Sequence, residues 1–120
     1  MRAAKWSRVP SQRVVIREDE IGDSLFLLAE GEAKVTSQGR LLNVLRAGES
    51  FGELPYIRGQ PGLRQASVET STDSMLAEFS REALESLPDA YQLHFARALL
   101  GALAERISLS NARIMRMSAA

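Results

Sequence analysis

The chain has 120 residues, with 15 Lys and Arg against 15 Asp and Glu, a formal net charge of zero. Hydrophobic residues make up 45% and charged residues 25%, an ordinary globular composition for one domain with a buried core rather than a disordered chain. The charge balance argues against a sequence-independent grip on DNA or RNA, which needs an excess of cations, but not against a small anionic ligand, for which one or two arginines suffice.

Residues 1–79 read as strands. Val14-Val15-Ile16 is a short β-branched run, and Leu25-Phe26-Leu27-Leu28 is a continuous apolar run closed by Gly31. Ala33-Lys34-Val35-Thr36 alternates, Ser37-Gln38-Gly39-Arg40 supplies a turn, and Leu41 to Leu45 returns as the second arm of a hairpin. Gly52 to Arg58 has room for one or two helical turns only. Ala66 to Glu69 and Met75 to Phe79 are two further short strands. Short strands parted by turns, with no helical pattern between them, point to a small sandwich or barrel and away from a parallel α/β sheet.

Residues 80–120 read as helix. Ser80 is an N-cap before Arg81 to Leu87, and Pro88 stops that helix. Asp89, with Gln92 three residues on, is a capping-box start for a helix that runs without proline to Met117, roughly 40 Å. Leu93, Leu100, Ile107 and Ile114 recur every seven residues, and Ala96, Leu103, Ser110 and Met117 follow three behind them. That heptad pattern predicts a parallel dimer seam through residues 93–117. Phe95 and Leu99 fall off the stripe and are expected to face the chain's own strands.

Cysteine is absent and His94 is the only histidine, so thiol chemistry and multi-histidine metal sites within one chain are excluded. A metal-dependent enzyme of the cupin type therefore has no ligand set, and His94 reads as an ordinary helix residue. Tyr56 and Tyr91 belong to no recognisable catalytic set, so no enzymatic activity and no cofactor are expected. No apolar stretch approaches the ~20 residues of a membrane span, and Met1 to Trp6 holds no signal-peptide core, so the expected compartment is the cytoplasm.

The segment Gly48-Glu49-Ser50-Phe51-Gly52-Glu53-Leu54, followed by Pro61-Gly62-Leu63-Arg64-Gln65-Ala66-Ser67-Val68, carries the chemistry. Glycines let backbone approach a ligand closely. Helix N-terminal amides suit an anion, an arginine adds a bidentate clamp, and a carboxylate accepts hydrogen bonds from sugar hydroxyls. Together these make a site for a ribose phosphate. Taken singly, Arg64 reads as a solvated surface charge and Glu53 as an acid favoured by a helix dipole.

The run Gly22-Asp23-Ser24-Leu25-Phe26-Leu27-Leu28-Ala29-Glu30-Gly31-Glu32-Ala33-Lys34-Val35 resembles the strand-turn-strand core of cyclic-nucleotide-binding domains. Phe51-Gly52-Glu53-Leu54 with Arg64-Gln65-Ala66-Ser67-Val68 resembles their phosphate-binding cassette. The resemblance covers about residues 5–117. It implies a mainly β fold, an eight-stranded jelly-roll barrel with a short cassette helix and a long C-terminal helix. It implies a non-catalytic sensor of cyclic AMP, or of cyclic GMP. Glu53 would accept the ribose 2′-hydroxyl and Arg64 would pair with the cyclic phosphate. Phe51, Gly52, Leu54, Gln65, Ala66 and Ser67 would complete the site, and the C-terminal helix, with Ile114, Met115 and Met117, would cover the base.

Three departures from the family's pattern stand out. Pro55 stands where a small residue usually offers its N–H to a phosphate oxygen, and proline has none. The stretch from Glu53 to Arg64 is about two residues longer, and Gln65 replaces a small or hydroxyl residue. These leave two alternatives open: a barrel without ligand that serves as a dimerisation or interaction module, or a sensor of another cyclic nucleotide or dinucleotide. Family members usually carry a further helix before the first strand, whereas Trp6 already lies inside it here. The chain thus reads as one domain, residues 1–120, of a longer protein whose output domain lies elsewhere.

Overall fold

A computed structural model describes the backbone of residues 4–118 and the side chains of residues 4–105. Ten strands and three helices follow in order: β1 (Ala4–Val9), β2 (Val14–Ile16), β3 (Ile21–Gly22), β4 (Ser24–Glu30), β5 (Glu32–Ser37), β6 (Arg40–Arg46), β7 (Ser50–Phe51), α1 (Leu54–Arg58), β8 (Gly62–Leu63), β9 (Ser67–Thr70), β10 (Ser74–Ser80), α2 (Arg81–Glu85) and α3 (Asp89–Ser118). Contacts group the chain into two compact units, residues 1–86 and 87–120.

In the first unit every strand pairing is antiparallel. One four-stranded sheet has the order β1-β10-β4-β7, a second has β2-β9-β5-β6, and β3 pairs with β8 in a two-stranded ribbon. Ile16, Phe26, Leu28, Ala33, Leu45, Phe51, Val68 and Leu76, drawn from both four-stranded sheets, form one buried cluster. Each of the larger side chains, all but Ala33, contributes roughly 1.5–3 kcal/mol of burial. Phe26 and Phe51 stack within it, ring centroids 5.2 Å apart. The alternation of β9 follows from one core-facing side, with Val68 and Thr70 buried and Ser67 and Glu69 less so.

The apolar run of β4 has a different cause. Leu25 is buried as well as Phe26 and Leu28, and α1 contacts β4 while α2 contacts β10. Apolar residues on both faces of β4 are therefore covered.

The expected hairpin is present. Ser37 pairs with Arg40 across Gln38 and Gly39, whose φ values of 52° and 77° are those of a type I′ turn. The eight-stranded closed barrel is not what the ladders form. The strands that would complete a ring are short, three residues in β2 and two in β7, while β1 and β6 end their sheets. Register shifts at Val14/Ile16, Val35/Thr36 and Met75/Leu76 interrupt the ladders further.

α2 begins where the sequence places it, with the Ser80 hydroxyl accepting from the Ala83 N–H at 3.1 Å. In the second unit α3 starts at Asp89. The Gln92 side-chain amide donates to the Leu87 carbonyl at 2.7 Å, which differs from the reciprocal bond of a capping box. On α3, Leu93 and Leu100 are exposed, Phe95 is half-buried and Leu99 is buried. The heptad positions Ile107, Ser110, Ile114 and Met117, and Met115 beside them, lie outside the described side chains. Among the described residues no helix is long and apolar enough to cross a membrane.

Candidate functional site

Arg64 follows β8 directly, and its backbone is pinned to the turn that leads into β3. Its N–H donates to the Glu20 carbonyl and its carbonyl accepts from Asp19, each at 2.8 Å. Gly62 and Leu63, between α1 and Arg64, pair with Gly22 and Ile21. This ribbon carries Arg64 back to the body of the fold.

The Arg64 side chain then reaches across two other elements. Nη1 donates to the Gly52 carbonyl at 3.0 Å and Nη2 to the Ser24 carbonyl at 2.7 Å. It runs between two glycines. A Cβ placed on Gly22 would lie 2.0 Å from Nε, and one placed on Gly52 would lie 2.8 Å from Nη1. Gly52 also has φ +74°, a conformation that glycine adopts without strain.

Burial pushes the Arg64 guanidinium below its ordinary value, and the carboxylates of Asp23, Glu53 and Glu78 oppose that shift. An arginine remains charged in any such setting. A guanidinium has more N–H donors than the two spent on carbonyls, so the group retains capacity for an anion.

Glu53 is half-buried at the N-cap position of α1, and its side chain does not cap that helix. Leu54 and Pro55 open the helix, Leu54 exposed and Pro55 buried. Glu53, Gly52 and Arg64 therefore lie close enough to act on one another. Ser67 is half-buried, and its hydroxyl accepts from the Glu18 N–H at 2.9 Å. Ala66 is half-buried and Gln65 exposed. Phe51 lies in the core, 4% exposed, against Phe26.

A cleft of about 180 Å³ opens on Arg64 and is lined also by Val15, Ile16, Gly22, Asp23, Ser24 and Glu78. Several of its polar groups already serve one another. Ser24 Oγ donates to Glu78 at 2.8 Å, and Asp23 accepts from Arg81 Nε at 2.7 Å, while Arg81 Nη1 also reaches Glu85 at 3.0 Å. Of the site residues expected from sequence, only Arg64 lines this cleft.

Sequence reasoning did not assign a role in the site to Gly22, to the Ser24 carbonyl or to Glu78. A backbone carbonyl has no residue-type signature, so neither anchor of Arg64 could be found that way. Among the described residues no group of His, Asp and Glu is placed to hold a metal ion. His94 is exposed on α3.

Residues 6–91 match the sequence model of the cyclic nucleotide-binding domain, and the chain belongs to that family. It is 38% identical over 86 residues to the cGMP-dependent protein kinase egl-4 of Caenorhabditis elegans, covering 72% of this chain and 10% of that protein. It is 35% identical over 75 residues to the cAMP-dependent protein kinase regulatory subunit of Yarrowia lipolytica, covering 61% of this chain and 20% of that protein. The chain thus spans a small part of these relatives. Among solved structures, the catabolite activator protein of Thermus thermophilus superposes with a TM-score of 0.76 at 26% identity, over 97% of this chain and 55% of that one. The fold is mainly β with a C-terminal helix, of the kind seen in that activator.

Proposed function

We propose that the domain is a non-catalytic sensor of a cyclic mononucleotide, with cyclic AMP as the first candidate and cyclic GMP as the second. The observation that carries this reading is Arg64 seated between Gly22 and Gly52 beside the cassette, in a chain of this family. In the reading Arg64 takes the cyclic phosphate and Glu53 accepts a hydrogen bond from the ribose 2′-hydroxyl. Gly52 and the amides near Leu54 and Ala66 line the phosphate, with Gln65 and Ser67 at its edge. Relatives named for each of the two nucleotides support the ligand class. Binding acts by differential affinity for two positions of the cassette and the C-terminal helices. The setting is the cytoplasm, as a homodimer through residues 93–117 of α3.

The test is calorimetric titration with cyclic AMP and cyclic GMP. Arg64→Ala removes a charge-assisted clamp and should weaken binding by about 10- to 100-fold. Because Arg64 also ties down two carbonyls, Arg64→Lys is measured beside it, with far-UV circular dichroism as the folding control. Undiminished affinity in a folded Arg64→Ala variant refutes the assignment.

One observation favours a second reading. Pro55 is buried in the first turn of α1, so the cassette there offers one N–H fewer. The alternative is a ligand-free interaction module, or a sensor of another cyclic nucleotide or dinucleotide. A thermal-shift series separates these, because a ligand that binds the native state must raise its melting temperature.

A further inference from the structure

Gly22 and Gly52 flank the same guanidinium but are glycine for different reasons. At Gly52 the backbone φ is +74°, and a Cβ would meet Arg64 Nη1 at 2.8 Å, Ile16 Cδ1 at 3.0 Å and the Ser24 carbonyl at 3.2 Å. Glycine is demanded there by conformation and by several neighbours. Gly22 is not among the residues with positive φ, so no left-handed conformation demands glycine there. The three atoms nearest a Cβ at Gly22 all belong to Arg64: Nε at 2.0 Å, Cζ at 2.5 Å and Nη2 at 2.6 Å.

We infer that Gly22 is a positioning residue, bare of a side chain so that the Arg64 guanidinium can lie across it and face the ligand. This rests on the reading that Arg64 takes the phosphate. The two backbones cannot part to relieve a collision. Gly22 pairs with Gly62, and Arg64 is bonded at both its N–H and its carbonyl to the turn before β3. A methyl group at position 22 must therefore drive the arginine side chain off Gly52 and Ser24, its two carbonyl anchors. Gly22 acts on the ligand through Arg64 alone.

The experiment is a double-mutant cycle on the whole chain with Gly22→Ala, Arg64→Ala and the pair. Urea unfolding reads stability, and calorimetry with cyclic AMP and cyclic GMP reads binding. Gly22→Ala should weaken nucleotide binding about 10- to 100-fold, as Arg64→Ala does, with little further loss in the pair. Its stability cost should vanish where Arg64 is already alanine. Wild-type affinity in Gly22→Ala overturns the inference, as does an equal stability cost with and without Arg64, which would mark an ordinary turn glycine. If Gly22→Ala alone does not fold, folding of the pair supports the inference and its failure overturns it. If the wild-type chain binds neither nucleotide, the phosphate reading falls with the ligand half of the inference, while the stability cycle still decides whether Gly22 seats the arginine.

Discussion

Phe51 precedes Gly52-Glu53 directly, so a change there tests whether its ring belongs to the core or to the ligand. The ring is 4% exposed and stacks on Phe26 at 5.2 Å with an interplanar angle of 7°. Phe51→Ala should cost about 3–5 kcal/mol, the range for an aromatic ring deleted from a packed core. Against a total stability of about 5–15 kcal/mol, that leaves a marginal fold. For a domain of this size the melting temperature should drop by on the order of 10–25 °C. Phe51→Leu keeps most of the volume and loses the stack, worth ~0.5–1.5 kcal/mol beyond area. Urea unfolding followed by far-UV circular dichroism measures both variants, and calorimetry with cyclic AMP measures Phe51→Leu. The expected pattern is reduced stability with nucleotide affinity retained. If Phe51→Leu were as stable as the wild type within ~0.5 kcal/mol while affinity fell about tenfold, the ring would face the ligand and the core assignment would be refuted.

Glu18 accepts hydrogen bonds from the Ser37 hydroxyl and the Gln38 N–H, which hold its carboxyl below the ordinary value of 4.5. A depressed folded-state value means stability that is present above the unfolded value and lost as pH falls through the folded one. Glu18→Gln should therefore show a shallower loss of urea midpoint than the wild type on acidification below about pH 4.5, and parallel curves would count against the hydrogen-bonded carboxylate. Ser80→Ala removes the cap of α2 and should cost about 1 kcal/mol in the same assay, with Ser80→Gly costing less; equal and negligible effects would show that the cap bond adds nothing. The heptads of α3 predict a concentration-dependent dimer in sedimentation, weakened by Leu100→Lys, whereas a monomer up to high micromolar concentration removes the seam.

Local chemistry made part of this fold legible. Gln38-Gly39 marks the hairpin because its turn type needs positive φ at both positions. Ser80 marks the start of a short helix because its hydroxyl supplies a cap, whereas that helix ends at Glu85 with Ser86 as its C-cap, ahead of Pro88. The β3–β8 ribbon was not legible, since two residues on each side carry no periodicity. Phe51 joins the expected site through its resemblance to the cassette motif, whereas its ring is buried in the core and stacked on Phe26. The roles of Glu53 and Arg64 came from residue type and resemblance. Their geometry did not, because Arg64 is held by carbonyls 12 and 40 residues away, and carbonyls look alike in every sequence.

The pairing of β1 with β10 bears on how the domain is made. Ala4 lies opposite Phe79 and Val9 opposite Ser74, so the first described strand waits for the last one. During synthesis β1 emerges with an open edge and stays so until residues 74–80 clear the ribosome. Closing so long a loop is costly and slow, and an unpaired edge invites other chains. A polypeptide cut short before β10 would lack the partner of both β1 and β4, leaving that sheet with a gap at its middle. The arrested chain would then offer two unsatisfied strands to chaperones and proteases.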